Sequence, residues 1–305
     1  MVSQTQSGLP SEPVSITGLR ARAQCLKTPL DPARPESGHM VWHVWGERRE
    51  GELPLVLLHG GSGSWTHWLR CIEGLSRKRQ LWLPDLPGFG DSDGVPGSGD
   101  VDGMLAPLHH GLQRLLGQAG GTAGAPLCEL VGFSFGGMAA GLLAAAYPGL
   151  ARSLTVVGAP GMGLGQRVRL KGWRHLPDWT DQARVHSHNL AALMLHDAAR
   201  IDAETLALHA LNVQRDRLPR RRLSETPVLA QALSSMACPV AAIYGEHDAL
   251  YAGRMQELAQ AFARQAAHFR RFATVADAGH WVMHEQPQAF MQVLDEMLLA
   301  PSAAS

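Results

Sequence analysis

Charge of one sign, long apolar runs and paired cysteines are all missing from this chain of 305 residues. Lys and Arg number 27 and Asp and Glu number 27, a formal net charge of zero. A nucleic-acid binder needs a basic surplus to neutralise phosphates, so the balance argues against that class. No apolar stretch approaches the roughly 20 residues that a membrane-spanning helix requires. The opening MVSQTQSGLPSEP is polar, with no basic start leading into an apolar run, and predicts no secretory leader. Cys25, Cys71, Cys128 and Cys238 lie far apart, with no CxxC pair. That argues against a disulfide framework and a zinc knuckle, and it fits a reducing, cytoplasmic setting. What the chain does have is 45% hydrophobic residues, 33 glycines and 15 histidines, enough apolar material for a large core.

Residues 1 to 18 are rich in Ser, Gln and Pro and read as a loose tail. Beyond them, short apolar runs alternate with longer amphipathic ones. Met40–Trp45 alternates with period two, as a half-buried strand does, and Leu53–Leu58 is a continuous apolar run, as in a strand buried on both faces. Further strands are predicted at Gln80–Leu83, Leu127–Val131, Leu154–Val157 and Val240–Tyr244, with a weaker one at His268–Phe272. Helical patterns fall near 64–76, 102–117, 135–147, 252–265 and 284–299. Such alternation predicts an α/β fold: a mostly parallel central sheet flanked by helices. Residues 161–236 break the rhythm. They hold no convincing strand, and eleven Lys and Arg stand there against seven Asp and Glu. A helical, mildly basic insertion before the last two strands reads as a lid over a core made of 19–160 and 237–300.

The strongest local signal is Gly132-Phe133-Ser134-Phe135-Gly136, a G-x-S-x-G match. About 0.2 such matches are expected by chance in a chain of this composition, and a second one occurs at Gly90-Asp91-Ser92-Asp93-Gly94. Context separates them. A nucleophile elbow needs a buried strand before the serine and a helix after it. Ser134 has both, whereas Ser92 has loop on either side. A serine hydroxyl needs a base, and the base needs a third group to hold its tautomer. His280 sits in a short loop between the last predicted strand and the final helix. Asp248 follows the strand Val240–Tyr244, at the strand end where parallel sheets gather their sites. Glu246 and Asp277 are the competing carboxylates. For a developing oxyanion, the amide of Phe135 is one donor. Gly61, in the run His59-Gly60-Gly61-Ser62-Gly63 after an earlier strand, is the other. No Lys follows that glycine run, so it is not a phosphate loop.

His59-Gly60-Gly61, Asp85-Leu-Pro-Gly-Phe-Gly-Asp-Ser92, Gly132-Phe-Ser-Phe-Gly-Gly137, Gly245-Glu-His-Asp248 and Ala278-Gly-His280-Trp281 together resemble the α/β-hydrolase family in order and spacing. The resemblance runs from about residue 40 to the end. It is strongest to the lidded bacterial esterases and the meta-cleavage-product C–C hydrolases. It implies a Ser134-His280-Asp248 triad, an α/β-hydrolase fold, and no metal or organic cofactor. Trp281 after the histidine is similar to the C–C hydrolases. Phe133, where that group carries Asn, and Ser64-Trp-Thr-His67-Trp68, where it carries another Asn, depart from it.

The expected activity is serine hydrolysis by acyl transfer, on a carboxylic ester first. A C–C bond of a diketone acid is the alternative, and a non-catalytic ligand receptor on the same fold is a third reading. Substrate contacts are expected from Trp281, Phe133 and Trp173. Arg167, Arg169, Lys171, Arg174, Arg215, Arg217 and Arg220–Arg222 form either a solvated basic face or a carboxylate grip. His186, His188, His109, His110 and His247 are either structural or metal ligands, and none shows the spacing of a helical zinc site. The expected partner is a small molecule, with no nucleic acid and no membrane. A homodimer is compatible with the chain.

Overall fold

The computed structural model describes residues 10–95, 97, 100–117, 124–218 and 221–299. Eight strands form one sheet: β1 (Gln24–Pro29), β2 (His39–Trp45), β3 (Leu55–Leu58), β4 (Leu81–Pro84), β5 (Cys128–Phe133), β6 (Ala151–Val157), β7 (Val240–Gly245) and β8 (Phe269–Val275). Their order across the sheet is β1-β2-β4-β3-β5-β6-β7-β8. The pairings β1–β2 and β2–β4 are antiparallel, and all others are parallel. The helices are α1 (Val14–Ala21), α2 (Leu69–Ser76), α3 (Leu105–Leu116), α4 (Phe135–Ala146), α5 (Trp179–Asn189), α6 (Ala203–Gln214), α7 (Val228–Ser234), α8 (Met255–Gln265), α9 (Val282–Glu285) and α10 (Pro287–Leu299).

Successive strand residues point to opposite faces, so the central strands feed two cores. Val56, Leu130, Leu154 and Tyr244 join α3, α4, α7 and α8 on one side. Leu57, Val131, Val157 and Ile243 join α1, α2, α9 and α10 on the other. Strands buried on both faces have no polar alternate positions, which is why β3 and β7 read as unbroken apolar runs.

The structure departs from the sequence expectations at four points. Residues 14–18 are not loose: they begin α1, which buries Ile16 and Leu19 against Trp45 and receives the Trp45 Nε1–H on the Leu19 carbonyl at 3.0 Å. β1 was not anticipated, because Gln, Lys and Pro interrupt its pattern, as suits an edge strand. β2 is buried along nearly its whole length rather than on one face, since α1 and Trp65 cover its outer side. The last helical pattern is also split, with Pro287 opening a new helix after α9.

Between β6 and β7 the described residues contain α5, α6, α7 and short turns of 3-10 and π-helix, with no strand. α7 packs on the core: Leu229 and Leu233 are fully buried there, and a Cβ on Gly141 of α4 would lie 2.3 Å from Leu229 Cδ1. α7, although it falls within 161–236, is thus part of the core packing.

Candidate active site

β5 runs straight into α4 with one residue between them. That residue, Ser134, has φ 52° and ψ −122°, a region that L-residues rarely occupy without compensation. Its amide donates to Val157 O on β6 at 2.7 Å, which fixes the turn to the sheet. The flanking glycines are required by space. A Cβ on Gly132 would lie 2.3 Å from Gly136 O, and one on Gly136 would lie 2.3 Å from His59 O. The second G-x-S-x-G serine has a structural part instead. Ser92 Oγ donates to Asp85 O at 2.6 Å and accepts from Val41 N at 2.8 Å.

Ser134, Asp248 and His280 come from three different strand ends at one edge of the sheet: β5, β7 and the loop after β8. Ser134 Oγ is 2.9 Å from His280 Nε2. His280 Nδ1 lies 3.0 and 2.9 Å from the two Asp248 carboxylate oxygens. Asp248 is 0% exposed and His280 2% exposed, while Ser134 is half-buried and open to a cavity. Asp248 Oδ1 also accepts from Leu250 N at 2.9 Å, so the carboxylate is held by its own turn as well as by the imidazole. Of the competing carboxylates, Glu246 is exposed and lies 3.8 Å from His247, and Asp277 interacts through its backbone carbonyl with Gln286.

The loop that presents His280 is pinned from behind by a fully buried carboxylate. Glu285 Oε2 accepts from Gly279 N at 2.6 Å and from His196 N at 3.1 Å, and Oε1 accepts from Asp197 N at 3.0 Å. This links the His280 loop to residues 196 and 197 of the β6–β7 segment. Trp281 is not where the sequence reading put it. It is 0% exposed, does not line the cavity, and donates from Nε1 to His67 O at 2.8 Å, stacked on His284 with centroids 4.0 Å apart. Trp281 thus offers no surface to the cavity and ties the His280 loop to the turn that carries His67.

Gly60, Gly61, Phe133 and Phe135 all line the cavity. The Gly60 amide is engaged, donating to His67 Nδ1 at 3.2 Å, so Gly61 carries the next amide of the loop. Phe135 heads α4, where first-turn amides have no intrahelical acceptor. His59 is held in one tautomer: Leu86 N donates to its Nε2 at 2.8 Å, and its Nδ1 donates to Gly60 O at 2.7 Å. Burial pushes its basicity down, in keeping with a neutral ring. His67, which the sequence reading did not single out, also lines the cavity. Burial first, then the neighbouring His59 and His209, push its pKa well below the ordinary histidine value. Its only sequence signal is Gly63, where a Cβ would come within 2.2 Å of the His67 ring.

The cavity holds about 880 Å³, and its outer wall comes from the β6–β7 segment. Trp173 lines it. Most of the segment's basic residues have structural partners. Arg217 donates to Gly90 O and Ser92 O, Arg215 pairs with Asp91, and Arg167 pairs with Glu225. Arg221 is the exception in position. It pairs with Asp216, donates to Ser62 Oγ at 3.2 Å, and lies 5.3 and 5.8 Å over the rings of Phe89 and Phe135. A Cβ on Gly61 would be 3.3 Å from its guanidinium. Arg220 lies outside the described residues. Among the described residues, His43, Asp85 and Asp91 bring ligand-type atoms within 4.8 Å of one another. Both Asp85 oxygens, however, already accept backbone amides, from Trp65 and Asp91.

No helix among the described residues is long and apolar enough to cross a membrane. The chain is 28% identical over 264 residues to a 2-succinyl-6-hydroxy-2,4-cyclohexadiene-1-carboxylate synthase of Salmonella paratyphi A, covering 81% of this chain and 94% of that one. Among solved structures it is similar to the naproxen esterase of Bacillus subtilis, with a TM-score of 0.69 and 18% identity over 93% of this chain and 95% of that one. It is likewise similar to the meta-cleavage product hydrolase of Pseudomonas fluorescens IP01, with a TM-score of 0.66 and 18% identity over 86% and 94% of the two chains. At such identities these two likenesses concern the fold. Residues 55–293 match the alpha/beta hydrolase family. With that match over most of its length, the chain belongs to the alpha/beta hydrolase family.

Proposed function

We propose that this protein is a serine hydrolase of carboxylic esters, working by acyl transfer through Ser134, His280 and Asp248. The observation that carries the reading is the continuous relay from Ser134 Oγ through His280 to Asp248, with every link at 3.0 Å or less. In it, Ser134 Oγ attacks the ester carbonyl while His280 Nε2 takes its proton, and Asp248 stabilises the imidazolium that forms. The amides of Gly61 and Phe135 receive the oxyanion. His280 then protonates the departing alcohol, and water, deprotonated by the same imidazole, releases the acid from Ser134. No step requires a metal or organic cofactor. The segment from residue 161 to the turn before α7 acts as the lid, with Trp173 contacting substrate and the buried Phe133 packed behind Gly60 and His280.

A second reading uses the same triad on a C–C bond of a diketone acid. It is favoured by Arg221, a cation beside the two oxyanion donors that suits a substrate carboxylate, and the name of the 28% identical synthase also includes a carboxylate. Asp216 already neutralises that guanidinium, and for this reason we place the ester first. A panel of aryl and alkyl esters beside a vinylogous diketone acid decides between them. The ester reading expects ester turnover that falls by about 10⁵-fold or more in Ser134→Ala. Faster turnover of the diketone acid would promote the second reading. Tight ligand binding with no turnover of either would point to a receptor.

A further inference from the structure

The cavity wall facing the triad carries two imidazoles for which acyl transfer has no use. His186, in the last turn of α5, and His209, in α6, lie with ring centroids 5.4 Å apart and planes at 78°. Both line the cavity, and His209 keeps accessible surface there. His186 is 0% exposed, and neither of its ring nitrogens has a hydrogen-bond partner. The indoles of Trp173 and Trp179 stand 5.0 and 6.1 Å from the His186 ring. His209, His67 and Ser134 line one and the same cavity, so this wall faces the space that a molecule seated on Ser134 would enter.

Desolvation pushes His186 down to about 4 and His209 down to about 3. Both rings are therefore neutral at ordinary pH, and each offers one N–H donor and one lone-pair acceptor. The two buried ring nitrogens of His186 are costly to leave unpaired, while His209, half-buried, presents its ring to the cavity. A neutral ring does not grip a carboxylate by charge. It fits a group that is itself both donor and acceptor, which is a hydroxyl. Of the two indoles, Trp173 lines the cavity and offers a flat apolar surface of the kind on which an aromatic ring packs.

We infer that His209, backed by His186 and Trp173, forms a recognition subsite for an uncharged phenol-type hydroxyl carried by the substrate away from its scissile carbonyl. The inference rests on the ester-hydrolase reading, and its substrate class is an aryl-substituted acyl ester with a free hydroxyl on the ring.

Three esters test it: para-nitrophenyl 3-arylpropanoates with hydroxyl, methyl or carboxyl in the para position of the aryl ring. Wild-type kcat/KM is expected to favour hydroxyl over methyl by about tenfold, the scale of one well-made neutral hydrogen bond. In His209→Phe the ratio should fall to about one, and in His209→Gln, which keeps a donor and an acceptor, part of it should return. Labelling of Ser134 by a fluorophosphonate in each variant reports that the fold has survived. Equal rates for hydroxyl and methyl in wild type, a preference that persists in His209→Phe, or a preference for the carboxyl ester each overturns the subsite. Calorimetric binding of the same esters to Ser134→Ala separates the two layers of the argument. Labelled Ser134 without hydroxyl preference sinks the subsite alone. Tighter binding of the hydroxyl ester with no labelling of wild type sinks the hydrolase reading alone.

Discussion

Ser134 occupies a backbone conformation, φ 52° and ψ −122°, that its side chain disfavours. The surroundings impose it: the amide is tied to Val157 O, and α4 must begin within one residue of β5. Strain of this sort costs about 1–3 kcal/mol, and glycine relieves it because it lacks a Cβ. Ser134→Gly is therefore expected to be more stable than Ser134→Ala by about 1 kcal/mol, read as the difference in chemical-denaturation midpoints. A glycine variant less stable than the alanine variant would mean that the turn is unstrained. Gly132 and Gly136 are the reverse case, with backbone in the space a Cβ needs. The G-x-S-x-G pattern was thus legible because three of its positions answer to local geometry. The role of Trp281 was not, because nothing in the sequence says on which side of the histidine loop an indole will be buried.

At the scale of elements, α1 shows what pattern reading misses. It buries Ile16 and Leu19 against Trp45 and touches α6 through a Ser15–Glu204 hydrogen bond, but its eight residues include Gly18 and follow a polar, proline-marked stretch. A short helix stabilised by tertiary packing has little intrinsic signal. Leu19→Ala is expected to cost about 2–4 kcal/mol, measured by denaturant unfolding, and a loss under about 0.5 kcal/mol would show that α1 is peripheral. β1 was hidden for a related reason, since an edge strand with Lys and Pro is built to avoid further pairing. The parallel strands β3 to β7 were readable because two-sided burial writes an unbroken apolar run. The stretch between β6 and β7 was readable as helical, but the packing of α7 on α4 was not, because its periodicity does not say which surface covers it.

Over the whole molecule, several enclosed imidazoles make the fold sensitive to acid. Burial pushes His43 and His186 down to about 4 and His284 down to about 3, from an ordinary value of 6.5. In the unfolded chain these groups bind protons below about pH 6.5, while in the folded chain they do not until about pH 4 or lower. Stability is therefore fully present above pH 6.5 and is lost as pH falls through the window down to about 4. The slope is at most about 1.4 kcal/mol per pH unit for each such group. Melting temperatures at pH 7.5 and pH 5 are expected to differ by well over 5 °C, as follows from a loss of a few kcal/mol. A flat profile across that range would mean that these rings are hydrated in solution.

The same folding that encloses those rings brings one hydroxyl, one imidazole and one carboxylate from distant parts of the chain to a single sheet edge, and that meeting is the central claim. Intact-mass and peptide analysis after reaction with an aryl fluorophosphonate tests it most directly. The account predicts one adduct per chain, on Ser134, formed at a rate that drops by orders of magnitude in His280→Ala. Absence of the adduct, or an adduct on Ser134 that forms equally fast without His280, would contradict it.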